Sequence, residues 1–175
     1  VEVSHVGPAG WENPSNLRLH HMKIALKYGL LITVVVVLWI VIVRLVMGVG
    51  ADSKSNIIAP LLFNLTTIVA IFLGMKERKQ ALSGALSFKE GLKTGMAISL
   101  VYAISACLFF MVEYLVAGPK LLLSEAGPQS GPLWQVAVMA YAGLFFGSLF
   151  FGLIFSTIIA FFLARRIGRD STEII

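Results

Sequence analysis

Four long apolar runs constrain this sequence more than any other feature. They cover residues 28–47, 57–75, 94–115 and 134–164. About 20 helical residues, each rising 1.5 Å, cross the hydrocarbon core of a bilayer. Barrel strands would alternate apolar and polar residues, whereas runs such as residues 34–37 (VVVV) do not. We therefore predict an all-α integral membrane protein with four transmembrane helices, at about residues 24–48, 57–75, 87–116 and 134–164.

The composition agrees with this class. Of the 175 residues, 58% are apolar and only 13% are charged, against about 25% charged in soluble domains. The fourth run would be about 46 Å long as one helix. It is expected to tilt, to bend at Gly143, Gly147 or Gly152, or to begin as a surface helix at Trp134. The first run is too long for a signal-peptide core, and we interpret it as a retained helix.

Basic residues predict the topology. Eleven Lys and Arg residues lie before the first run, between the second and third, and after the fourth, whereas the other two loops hold two. Because cytoplasmic loops are enriched in Lys and Arg, we expect two hairpins with both termini cytoplasmic. The net charge of +5 is then explained by the orientation of the chain in the membrane, with its basic residues facing an anionic inner leaflet. No nucleic-acid partner is expected. The predicted basic inner surface comprises Lys76, Arg78, Lys79, Arg165 and Arg166.

The chain divides into three parts on this interpretation. Residues 22–166 form the membrane domain, and residues 167–175 form a cytoplasmic tail. Residues 1–21 are polar, and are either a cytoplasmic arm or an artefact of start-site choice or cloning. Ser87 followed by Glu90 matches a capping box and predicts a helix start there. The Gly118–Pro119 pair predicts the end of that helix.

The two halves of the membrane domain resemble each other. Residues 23–37 match residues 89–103 at six positions, and residues 66–76 match residues 156–166 at five, with Lys76 opposite Arg166. Each half has an even number of spans, so a duplication would give a parallel 2+2 repeat, as in some transporters. The alternative is two unrelated hairpins that obey the same topology rule.

Several short segments also resemble a known family. They are residues 27–29 (KYG), 72–77 (FLGMKE), 87–88 (SF) and 91–95 (GLKTG). Over about residues 22–166 the chain resembles a family of small bacterial four-helix membrane proteins, domain of unknown function 4199. The resemblance implies four transmembrane helices in a bacterial inner membrane. It implies no activity, substrate or catalytic residue.

Three polar residues inside the predicted spans are candidate sites. Arg44 lies about 25 Å along the first helix from Lys27, and Glu113 lies about 30 Å along the third helix from Lys93. The two helices run in the same direction, so an ion pair between Arg44 and Glu113 is geometrically possible. An ion or proton site and a structural pair near the interface are the two interpretations. Asn64 is expected to hydrogen-bond to a neighbouring helix.

Small residues spaced by four form two further candidate surfaces. Gly95, Ser99 and Ala103 lie on the third helix, and Gly143 and Gly147 lie on the fourth. Such faces allow close helix approach. They serve either internal packing of the bundle or an interface with another protein or another copy.

Few residues suggest chemistry. Cys107 is the only cysteine, and His5, His20 and His21 all precede the first run. No nucleophile–base set, zinc motif or phosphate-binding loop is present. We predict no catalytic residue, cofactor or metal, and hence no enzyme.

The leading hypothesis is a non-catalytic accessory or stabilising component of a membrane assembly, or a homo-oligomer. The alternative is a small solute or ion transporter or channel, for which the duplication and the three intramembrane polar residues are the motive. Lipid sensing by Lys76, Arg78 and Lys79 is a third interpretation.

Overall fold

The structure is a computed structural model that describes residues 14–47, 58–118 and 132–165. These residues form four α-helices: α1 (Pro14–Met47), α2 (Ile58–Ala81), α3 (Phe88–Ala117) and α4 (Leu133–Arg165). Each helix contains a stretch long and apolar enough to cross a membrane. The predicted number, type and order of helices are therefore confirmed.

The helices extend past the apolar runs that predicted them. Helix α1 begins at Pro14, about ten residues earlier than expected, and α2 continues from Met75 to Ala81. Proline is tolerated in the first helical turn because its missing N–H would have no partner there. Apolar runs mark the part of a helix that suits a bilayer, whereas the backbone hydrogen bonds continue into water. Residues 1–13 and 166–175, which include Arg166, lie outside the described residues.

The structure confirms the predicted start and end of α3. Ser87 is the N-cap, and its Oγ accepts a hydrogen bond from the Glu90 amide at 3.2 Å. The helix ends at Ala117, and Gly118 follows with a φ of 76° while its amide donates to the Tyr114 carbonyl. Glycine adopts this left-handed backbone without the steric cost that a Cβ brings.

Helix α3 lies at the centre of the bundle. It contacts all three other helices, α2 contacts both α1 and α4, and within the described residues no Cα atom of α1 lies within 8 Å of one of α4. A two-fold repeat would turn the α2–α3 contact into an equal α4–α1 contact. The helices thus do not follow a true two-fold axis, and the duplication stays a prediction about the sequence.

The core is a narrow strip between the helices. It contains Ile24, Tyr28 and Ile32 of α1, Ala70, Ile71 and Met75 of α2, Ile98, Tyr102 and Ala106 of α3, and Ile159 and Ala160 of α4. Only 22% to 33% of each candidate span is buried, so most apolar side chains face outward. Helices that are apolar all round suit a bilayer as their solvent. The fourth run forms one continuous helix of 33 residues.

Candidate functional site

A charged cluster joins the first half of α1 to the end of α2. Glu77 of α2 accepts two hydrogen bonds at its Oε2, from Lys27 Nζ at 2.7 Å and from the Tyr28 hydroxyl at 2.8 Å. Tyr28 is buried, whereas the Lys27 side chain is 58% exposed. The Tyr28 bond is therefore the better shielded of the two. We call Lys27, Tyr28 and Glu77 the Glu77 cluster.

A second ion pair joins the end of α2 to the start of α3. Arg78 Nη2 lies 3.6 Å from Glu90 Oε2. Arg78 is only 6% exposed, so its placement on an exposed basic surface is wrong. Its guanidinium is enclosed at the junction of α2 and α3. Glu90 thus pairs with Arg78, while its backbone amide serves the Ser87 cap.

A basic groove lies on the other side of α2. Phe72, Lys76, Lys79, Gln80, Gly84 and Leu163 line a cavity of about 490 Å³ between the ends of α2 and α4. Lys79 Nζ donates to the Leu163 carbonyl at 3.3 Å, and Lys76 is exposed. We call this cavity the α2–α4 groove. Arg165 ends α4, but its side chain lies outside the described residues.

Hydroxyl groups within the spans bond mostly to their own helices. Thr66, Ser99, Ser148 and Thr157 each donate to the carbonyl four residues earlier, at 2.6 to 3.0 Å. Such bonds satisfy a polar group where no water is present. Thr33 of α1 and Ser105 of α3 also share a direct hydroxyl contact at 2.5 Å.

Small residues form a seam between α3 and α4. A Cβ added to Gly95 would lie 2.6 Å from Ser156 Cβ and 2.7 Å from Met75 Cε, and it would clash with Ser156 Oγ. Gly152 sits against Ser99 in the same way, and a Cβ on Gly91 would lie 2.9 Å from Ala160 Cβ. We call these paired positions the α3–α4 seam. They pair in antiparallel steps of four, as close helix packing requires.

The predicted small-residue faces have different outcomes. Gly95 and Ser99 lie in the seam, and Ala103 is fully buried, so the α3 face serves packing within the chain. Gly143 and Gly147 do not: a Cβ added to either would meet nothing within 4 Å. The residues of α4 that pack on α3 are instead Gly152, Ser156 and Ala160, also spaced by four.

Gly143 and Gly147 line a cavity of about 340 Å³ at the opposite end of the bundle from the charged cluster. All four helices contribute to its walls, including Trp39, Phe63 and Tyr102. The Phe63 and Tyr102 rings pack with centroids 5.2 Å apart. The cavity is mainly apolar, and the Thr66 and Ser148 hydroxyls in its wall already donate to carbonyls of their own helices.

The three predicted intramembrane polar residues have different outcomes. Asn64 Nδ2 donates to the Pro60 carbonyl of its own helix at 2.8 Å, which replaces the expected bond to a neighbouring helix. Glu113 is half-buried on α3. Arg44 lies on α1, but its side chain is outside the described residues, so the Arg44–Glu113 pair stays a prediction. In the described ranges, no three His, Cys, Asp or Glu side chains lie close enough together to hold a metal ion.

These features define a helical membrane protein with a charged cluster at one end of its bundle. Its sequence matches the family described as Protein of unknown function (DUF4199) over residues 27–124. The match covers more than half of the 175 residues, and the chain belongs to this family. No curated protein and no solved structure matches the chain.

The match is shorter than the 22–166 expected from the sequence, because it ends before α4. It includes α1 from Lys27 onward, α2 and α3. Sequence reasoning treated Lys27 as a topology signal and did not propose Tyr28 and Glu77 as a site. The signal was present, since residues 27–29 and 72–77 both carry the family resemblance. Those two segments meet in the Glu77 cluster.

Proposed function

We propose that this chain is a non-catalytic packing component of a bacterial inner membrane, either an accessory subunit of a membrane assembly or a homo-oligomer. Gly143 and Gly147 carry this proposal. They repeat the spacing that brings α3 and α4 together, yet a Cβ added to either would meet no atom of the described residues within 4 Å, and both border the open cavity of about 340 Å³ between the helices. Small residues four apart beside open space between transmembrane helices suit the close approach of another helix.

The hydrogen bonding of the spans supports a packing role over transport. Polar groups that line an aqueous path need water or substrate as partners, whereas these hydroxyls donate to carbonyls of their own helices. The small-solute transporter or channel is the second candidate. The cavity that contains Tyr102 and Ser148 favours it. Flux in liposomes that is lost in Tyr102→Phe or Arg44→Ala would reverse this order.

The proposed arrangement in the membrane is two hairpins with both termini cytoplasmic. Its support is the eleven-to-two distribution of Lys and Arg and the basic residues that flank the short α2–α3 turn, such as Lys79 and Lys89. Single cysteines in a Cys107→Ser background test it. An impermeant maleimide added outside intact cells should label Lys120→Cys and leave Ala85→Cys unlabelled. Labelling of Ala85→Cys but not of Lys120→Cys would indicate the opposite topology, with both termini outside.

The packing proposal is tested by the native mass of the gently solubilised protein and the identity of every chain in the particle. We expect a particle larger than the monomer. Other chains in fixed ratio identify an assembly, and copies of this chain alone identify a homo-oligomer. Gly143→Leu with Gly147→Leu should reduce the particle to a monomer that is still folded, because both positions have open space. Thr157→Leu, an exposed site elsewhere on α4, is the matched control. A monomer in the unmodified protein contradicts the proposal.

A further inference from the structure

We infer that the α2–α4 groove binds one anionic phospholipid, with the lipid phosphate at Lys76 and Lys79 and an acyl chain along Phe72 and Leu163. The four residues line one cavity of about 490 Å³. The inference goes beyond the packing role and applies equally to a monomer or a subunit.

The order of side chains along α2 matches the order of groups in a phospholipid. Phe72, Lys76 and Gln80 are four residues apart and share one helix face, and Lys79 lies beside them. Each step of four is about 6 Å along the axis. The face therefore changes from apolar to cationic within one helical turn, as a lipid changes from acyl chain to phosphate.

The charges around the groove leave its lysines available to an anion. Among the described residues, none that lines the groove is acidic. The two nearest carboxylates on α2 and α3 are occupied on other faces, Glu77 by Lys27 and Tyr28, and Glu90 by Arg78. Lys79 donates one hydrogen bond to the Leu163 carbonyl. Because an ammonium group has three donors, two remain for an anion. Lys76 is exposed and Lys79 is half-buried.

Each element of the groove accounts for one part of the ligand. Two lysines supply charge-assisted hydrogen bonds to a phosphodiester. Lys79 is held in place by the end of α4, which lowers the conformational entropy lost on binding. Phe72 and Leu163 supply apolar surface that a free phosphate ion would not use. A zwitterionic headgroup would gain less, because its own cation repels the lysines.

The test is native mass spectrometry of the full chain in mild detergent, titrated with dioleoylphosphatidylglycerol. We expect one tight adduct, with dioleoylphosphatidylcholine bound at least tenfold more weakly. Since each lysine near an anionic lipid contributes about fivefold, the Lys76→Gln/Lys79→Gln pair should weaken binding about 25-fold. The matched control is Lys23→Gln/Lys89→Gln, which removes two exposed charges from the same end of the bundle and should leave binding unchanged.

Four results would overturn the inference. The first is that the Lys23→Gln/Lys89→Gln control weakens lipid binding as much as the Lys76→Gln/Lys79→Gln pair, and the second is that the Lys76→Gln/Lys79→Gln pair does not weaken it. The third is that phosphatidylcholine binds as tightly as phosphatidylglycerol. The fourth is that glycerol 3-phosphate binds as tightly as the lipid, which would make this a free-phosphate site. Because Lys79 also bonds α4, its substitution can affect folding. The Lys76→Arg/Lys79→Arg variant keeps both charges and should retain the adduct. Failure of this test leaves the packing proposal intact, since that proposal rests on Gly143 and Gly147.

Discussion

The α3–α4 seam predicts opposite effects for the same substitution at two glycines. Gly95→Ala adds a Cβ that would lie 2.6 Å from Ser156 Cβ and 2.7 Å from Met75 Cε. Gly143→Ala adds the same atom where nothing lies within 4 Å. Both glycines are inside long helices, so both substitutions gain a similar helix propensity. The difference between the two variants therefore isolates the packing at the seam.

The magnitude follows from the separation that the carbons need. Non-bonded carbons are most favourable at about 3.5–4.0 Å, so α3 and α4 must separate locally by about 1 Å. Forcing an additional methyl group into a packed interface costs typically 1–3 kcal/mol, against a propensity gain of about 0.8–1.0 kcal/mol from Gly to Ala. We expect Gly143→Ala to be neutral or stabilising, and Gly95→Ala to be about 1–3 kcal/mol less stable than Gly143→Ala.

The assay is reversible unfolding in mixed micelles, followed by circular dichroism, for the two variants and the unmodified chain. Gly152→Ala, whose added Cβ would clash with Ser99, should group with Gly95→Ala. Equal stability of Gly95→Ala and Gly143→Ala would refute the reasoning, because it would show that the seam is not closely packed. Ser156→Gly should partly restore Gly95→Ala, since it removes the side chain that the new methyl group meets.

Three further predictions concern the charged end of the bundle and are checked by the same unfolding measurement. Tyr28→Phe should cost about 1 kcal/mol because it removes a shielded hydrogen bond to a carboxylate, and Lys27→Met should cost less because the Lys27 side chain is 58% exposed; the reverse order would contradict the described geometry. Arg78→Gln should destabilise the protein by about 2 kcal/mol, because it removes the buried guanidinium that pairs with the half-exposed Glu90 carboxylate. Lys89→Gln, at an exposed position, should leave stability unchanged, and equal effects of the two substitutions would argue against burial of Arg78. Ser83 has a φ of 53°, so Ser83→Gly should raise stability by up to about 1 kcal/mol and Ser83→Val should lower it; a destabilised glycine variant would show that the left-handed backbone carries no cost here.

The number and order of the helices were predictable because the apolar runs set them. The bilayer imposes a minimum length on each span, and that length is visible without any knowledge of contacts. Ser87 and Gly118 were predictable for a local reason, since a cap depends on residues within one turn. The start of α1 was not, because a polar helix outside the apolar run carries no hydropathy signal.

The contacts between helices were harder to predict, because they depend on which faces meet. Gly143 and Gly152 both belong to stripes of small residues on α4, and only the structure shows that the Gly152 stripe packs on α3. Arg78 lies within a basic segment, yet its pairing with Glu90 requires knowledge of how α2 and α3 cross. Asn64 reaches its own backbone, a choice that depends on a rotamer and not on composition.

The α3–α4 seam has a consequence for how the register of the two helices is specified. A slide of α4 by four residues, about 6 Å, would again place small residues opposite small residues: Gly95 would face Gly152 or Ala160. The seam thus sets the distance between the two helices, but it is compatible with axial alignments that differ by about one helical turn. The alignment must come from features that do not repeat. Lys79 of α2 bonds the Leu163 carbonyl of α4, and Arg78 of α2 pairs with Glu90 of α3, so α2 links the two helices at this end. In this bundle the apolar interior determines the distance between α3 and α4, and the charged end determines their axial alignment.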